Sequence, residues 1–157
     1  MKFDTVKIIS NYNYTIKIHI AHIILQQIKM GLDMIAFACK EELLNTYFEM
    51  PENFTELQTW RKHPDLHGWM ENLYVKKNNI KQEEIYEFNT GTCVQLTLED
   101  LQNLELDIKN NKLPKTEGFF FGESYNNKKT KENDLEFIKK ATSTIKAGLN
   151  VYYTSWW

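Results

Sequence analysis

The chain has 157 residues, 42% hydrophobic and 25% charged, which is enough apolar sequence for one packed core and excludes two full-sized domains or wholesale disorder. Nineteen Lys and Arg against 21 Asp and Glu leave a formal net charge of -2. The electrostatic footprint of a protein that grips nucleic-acid phosphates is therefore missing, and nucleic acid is not expected as a partner.

Residues 1–29 are rich in Ile, Asn, Tyr and Lys, with no acidic residue after Asp4, and read as an N-terminal extension to a core spanning 30–157. Within them Tyr14–Ile20 alternates with the period of a strand, while Ile20–Ile28 suits a short helix equally well. The apolar stretch Ile16–Leu25 is broken by Lys17, His19 and His22. It falls short of the roughly 20 apolar residues a membrane span needs and lacks the uninterrupted centre of a secretory leader, so a cytoplasmic protein with no membrane partner is expected.

From Met30 the pattern sharpens. Met34–Cys39 is a short, wholly apolar run that reads as a buried strand. Pro51–Phe54 reads as a turn. Leu57, Trp60, Leu66, Trp69, Met70 and Leu73 recur at helical intervals, and Pro64 divides them, so two short helices or one kinked helix meet at His63, with Asp65 near the second N-terminus. Asn78–Asn89 is a polar loop and Gly91–Leu96 a strand. Thr97, three residues before Asp100, is an N-cap. The helix it starts carries Leu98, Leu101, Leu104 and Ile108 on one stripe and stops at Asn110–Pro114. Gly118–Gly122 holds three consecutive Phe between glycines and reads as a strand, with Ser124–Lys131 a solvated loop. Leu135, Ile138, Ala141 or Thr142, and Ile145 mark the last helix, Gly148 suits its C′ position, and Val151–Ser155 ends the chain as a strand. Together these elements give an α+β fold: a mixed or antiparallel sheet of about four strands, with three helices mainly on one face. Cys39 and Cys93 lie inside apolar runs and behave as buried, reduced thiols; there is no CxxC and no Cys/His spacing for zinc.

Five ordered blocks carry a family resemblance: Met30–Met34 (MGLDM), Trp60–Tyr74 (WRKHPDLHGWMENLY), Leu96–Leu101, Leu113–Ser124 (containing GFFFGES) and Val151–Trp157 (VYYTSWW). Together they resemble a family of small proteins encoded by tailed phages, marine cyanophages among them. The resemblance covers residues 30–157 and implies a phage accessory role in a host cytoplasm. The family's members begin at the methionine matching Met30, so 1–29 departs from its pattern. Some members are labelled phosphoglycerate kinase, but the six glycines here form neither GxGxxG nor GxxxxGK[ST], so no backbone cradle for phosphates is visible and that activity is not expected.

Chemistry concentrates in the bend from Trp60 to Trp69. Arg61 and Lys62 can hold an anion, Trp60 or Trp69 can stack on a base, and His63 and His67 are candidate acid/base groups near neutral pH. The alternative is that the indoles are core rings, the cations are solvated and the imidazoles pair locally. A metal at His63 and His67 is not expected, because Pro64 spoils the i, i+4 face and HExxH is absent. Asp33 and Glu117 border strand starts and form a candidate carboxylate pair. An open sheet face would leave Phe120, Tyr153 and Trp157 as an aromatic platform for a ligand, a host protein or a second copy of the chain. No Ser/His/Asp order or GxSxG elbow is present. The expected function is binding, of a host factor or a small phosphorylated or nucleotide ligand, with no cofactor and no metal; the alternative is a small enzyme acting on such a ligand.

Overall fold

The computed structural model describes residues 31–43, 50–81, 88, 90–117 and 127–156. The chain divides into two units, Met1–Gly31 and Leu32–Trp157, and every described strand and helix belongs to the second. The readings made for 1–29, for Gly118–Gly122 and Ser124–Asn126, for most of Asn78–Asn89 and for Trp157 lie outside the described residues.

The second unit is built on strands β1 (Asp33–Cys39), β2 (Thr55–Arg61), β3 (Thr90–Leu96) and β4 (Asn150–Trp156), with helices α1 (Pro64–Asn78), α2 (Leu98–Lys109) and α3 (Lys128–Lys146). The strands form one antiparallel sheet in the order β2-β1-β4-β3, an α+β architecture. β1 is central because it has no polar side chain after Asp33 and is buried on both faces. Its Met34, Ala36 and Ala38 join Val94, Val151 and Tyr153 on one side of the sheet. Against them pack Leu66, Met70 and Leu73 of α1, Leu101, Leu104 and Ile108 of α2, and Phe137, Ile138 and Ala141 of α3. All three helices thus cover the same face, and burying each large side chain there is worth roughly 1.5–3 kcal/mol.

The opposite face carries a smaller cluster of Phe37, Cys39, Cys93 and Tyr152. Phe37 stacks on Tyr152 at 5.7 Å and meets Phe54 edge-on at 5.9 Å, and the Tyr152 hydroxyl accepts the Leu43 N–H at 2.9 Å. Both cysteines are free thiols. Burial, with Cys39 adding to it, pushes the Cys93 thiol up to about 12, and burial raises Cys39 as well.

The sequence pattern misleads at β2. Leu57 and Trp60 suggested a helix, but Thr55–Arg61 is a strand. The register with β1 shifts where Ala36 pairs with Gln58 and Phe37 with Glu56, so Leu57 is the extra residue of a β-bulge. One extra residue changes the parity of the strand, and Leu57 and Trp60, three apart, both pack against the helix-side core. A bulged strand therefore imitates helical spacing. The second half of the predicted helix stands: α1 starts with Pro64 in its first turn and Asp65 beside it.

Thr97 caps α2 through a reciprocal capping box with Asp100. α3 begins at Lys128, capped by Asn127, inside the segment expected to be a loop. It turns Phe137 and Asp134 inward along with Ile138 and Ala141. Gly148 follows α3 at φ +87, the left-handed C′ geometry that glycine takes without strain. The 113–117 segment lies across α1, where the Thr116 N–H reaches Asp65 Oδ1 at 3.1 Å. A Cβ at Gly68 would collide with the Thr116 hydroxyl.

Candidate functional site

The strand-to-helix turn after β2 is set by Lys62 and His63. Lys62 takes a left-handed conformation, φ 55, and its N–H still bonds Leu32 O at 2.8 Å. His63 is the N-cap of α1: its Nδ1 accepts the Leu66 N–H at 3.4 Å. Because Nδ1 acts as an acceptor, the ring proton sits on Nε2, which donates to Asp134 Oδ2 at 3.0 Å. The other oxygen, Oδ1, accepts the Trp60 indole N–H at 2.9 Å, and the Trp60 ring stands edge-on to Phe137 at 4.9 Å. Asp134 is only 1% exposed. A carboxylate so deep is tolerable because each of its oxygens receives a directed N–H bond.

Outside this network lies a cleft of about 240 Å³, bounded on one side by the continuous run Gln58–His63 and on the other by Thr130, Asn133 and Asp134 from the first turns of α3. Arg61 sits on the rim, 3.3 Å from Asp33 and with 58% of its side chain exposed; Lys62 is exposed beside it. α3 has no acidic residue in its first turn, and Lys128, Lys129 and Lys131 stand where a helix N-terminus ordinarily favours carboxylates. Glu132 lies 3.8 Å from Lys128, and Lys131 donates to Asn111 Oδ1. The result is a cleft mouth that carries Arg61 and Lys62 above a hydrogen-bonded floor of His63 and Asp134.

Of the candidate residues, Trp60, Arg61, Lys62 and His63 come together at this cleft. His67 does not: it is 0% exposed, its Nδ1 is 2.9 Å from the Tyr153 hydroxyl, and its Nε2 faces Glu71 at 3.8 Å. Tyr153 is likewise buried on the helix side of β4, so it belongs to no exposed aromatic platform, and burial lifts its hydroxyl well above the usual tyrosine range. Trp69 donates to Asp107 Oδ2 at 2.9 Å and ties α1 to α2. Asp65 holds the 113–117 segment instead of facing a ligand. Asp33 pairs with Arg61, and Glu117 with Lys115 at 2.9 Å, so each carboxylate is engaged with its own cation. Among the described residues no three His, Cys, Asp or Glu gather as metal ligands.

The sequence reading missed Asp134, Thr130 and Asn133. A signal for Asp134 was present: it precedes Ile138 by four and Ala141 by seven, on the very stripe that α3 buries. A carboxylate on a core stripe demands a donor, and Trp60 and His63 supply two. Comparison of the chain with known protein families, with curated proteins and with solved structures finds no match.

Proposed function

We propose that this protein acts by binding: the cleft between β2 and α3 takes an anionic ligand, with Arg61 and Lys62 meeting its charge. The observation that carries the reading is the contrast between mouth and floor. The mouth is lined by cations, while the histidine beneath it has both ring nitrogens committed, one to the Leu66 N–H and one to Asp134. A general base needs a lone pair within reach of a substrate proton, and His63 has none to offer. His67 is enclosed in the core. Capture without turnover fits this arrangement better than catalysis, and it agrees with the accessory role that the resemblance to tailed-phage proteins implies.

The test is the melting temperature across a panel of inorganic phosphate, nucleotides, sugar phosphates and acidic peptides. A ligand present at 100 times its dissociation constant stabilises by roughly 2.7 kcal/mol, a rise of several degrees for a domain of this size. The shift is expected to disappear in the Arg61→Gln, Lys62→Gln double variant, whose own melting temperature stays near that of the parent because both side chains are exposed. A shift that survives the double variant places binding elsewhere, and a panel with no shift at all removes the reading.

A further inference from the structure

We infer that the ligand of this cleft is a small hydroxylated anion, one charged group on a sugar or polyol body, and that Lys62 is held in a strained backbone conformation to receive the charge; the inference rests on the proposed binding function and names its ligand class. The backbone supplies the first observation. Among the described residues other than glycine, those with positive φ are Lys62 at 55, Asn79 at 52 and Asn111 at 55. Asparagine visits this region readily because its short amide bonds locally, whereas lysine has no such compensation. Asn79 closes α1 as its C-cap, and Asn111 accepts from Lys131. Lys62 is exposed, and among the described residues no hydrogen bond or ion pair engages its ammonium. Its N–H bond to Leu32 O would form equally well from a glycine. The backbone here suits glycine or asparagine, so a lysine kept against that preference marks a side chain used outside the fold.

The lining of the cleft supplies the second. Beside Arg61 and Lys62 its walls are neutral and polar, with Gln58 and Thr59 on the β2 side and Thr130 and Asn133 on the α3 side. The Gln58 amide donates to Thr59 O at 3.1 Å, which leaves its own carbonyl oxygen to accept. Thr130 directs its hydroxyl proton to Asn127 Oδ1 at 3.3 Å, which leaves its oxygen as an acceptor. Asn133 is exposed, and among the described residues no hydrogen bond engages its amide. Hydroxyl groups match such walls, since each donates to a carbonyl or hydroxyl oxygen and accepts from an amide.

Size narrows the body. A cleft of about 240 Å³ has room for about eight water molecules at roughly 30 Å³ each, so a lone phosphate leaves most of it wet. It is also smaller than the roughly 300–1,000 Å³ of pockets that enclose drug-sized molecules. A nucleobase needs a ring face to stack on, and Trp60, the aromatic residue in the wall, is tied to Asp134 through its N–H and packed against Phe137. A compact body with several hydroxyls and one anionic group satisfies charge, walls and volume together.

The experiment is isothermal titration calorimetry on the full chain with glucose 6-phosphate, gluconate, glucose and inorganic phosphate. At least one of the two hydroxylated anions is expected to bind about tenfold or more tighter than both glucose and inorganic phosphate, and which of them does so identifies the anionic group. Lys62→Gly is expected to raise the melting temperature by about 2–4 °C as the backbone relaxes and to weaken that anion about tenfold or more. Asn133→Ala is expected to bring the hydroxylated anion down toward the affinity of inorganic phosphate. Inorganic phosphate binding as tightly as both hydroxylated anions overturns the polyol body. Lys62→Gly with unchanged affinity, or with a lowered melting temperature, overturns the role given to Lys62. If none of the four probes binds while a nucleotide or an acidic peptide still shifts the melting temperature, the ligand class falls and the binding function stands. Silence from every ligand overturns both.

Discussion

His63, the N-cap of α1, and His67, one turn further along, are both buried and both bonded to a side chain from a distant element, yet one frames the cleft and the other seals the core. His63 caps the helix and hands its remaining proton to Asp134 on α3. His67 looks toward the sheet, between the Tyr153 hydroxyl and Glu71. The difference is one of charge in the neighbourhood: the rim network ends on a carboxylate whose oxygens both accept N–H bonds, whereas burial raises Glu71 above the ordinary carboxylate range. Two imidazoles in one short motif thus serve as parts of the frame, and under the proposed binding function the ligand is left to Arg61 and Lys62.

Removing Asp134 is the strongest way to break that comparison. Asp134→Ala leaves the Trp60 and His63 N–H groups buried without their acceptor, and a loss of about 3–5 kcal/mol is expected in denaturant unfolding. A loss below about 1 kcal/mol would mean that the rim network does not hold α3 to the β2 turn. Tyr153→Phe is the matching cut on the inner side. It withdraws the hydroxyl from His67 Nδ1 and is expected to cost about 1–2 kcal/mol, with peptide or anion binding at the cleft unchanged; a change in affinity would show the two histidines to be coupled.

The smallest effect is electrostatic and carries a definite sign. Burial raises the pKa of Glu71, so the protonated form favours the fold: its contribution is complete below the unfolded value near 4.5 and is lost as pH rises through the folded value. Asp100 has the opposite sign. Burial pushes it up, but hydrogen bonds from Lys77 and Thr97 outweigh that and hold it below its ordinary 3.8, so its contribution is present above 3.8 and lost as pH falls through the lower folded value. Glu71→Gln is therefore expected to raise the melting temperature at pH 7 and to lose that gain by about pH 4. Partial exposure keeps the gain below about 1 kcal/mol. Asp100→Asn should instead lower stability at pH 7 and cease to matter in strong acid. Melting curves from pH 3 to pH 8 check both slopes.

Much of the fold was legible because single elements obey single rules. The unbroken apolar run of β1, the Thr97 and Asp100 box before α2 and the glycine after α3 each state their structure locally. β2 was misread because a bulge alters strand parity, and nothing in Leu57 or Trp60 announces a bulge; it arises from pairing with β1. The bend at Pro64 was visible as a meeting place of cations, indoles and imidazoles. Which of them line a common space was not, since that depends on α3, about 70 residues further along the chain. Asp134 could have been suspected from its place on a buried stripe, but its partners are fixed only by the tertiary fold. His67 and Tyr153 looked like surface chemistry because residue type alone does not tell which side of a helix or sheet meets the core.

The two cysteines offer a practical handle. Cys39 is 2% exposed and Cys93 0%, and both thiols are shifted away from the thiolate form that reacts with alkylating reagents. The native chain should consequently be silent toward maleimides at neutral pH while folded. A new cysteine at exposed Lys129, next in sequence to the cleft-lining Thr130, would then take up a dye selectively without first stripping the natural thiols, and the emission of that dye would test the proposed occupancy.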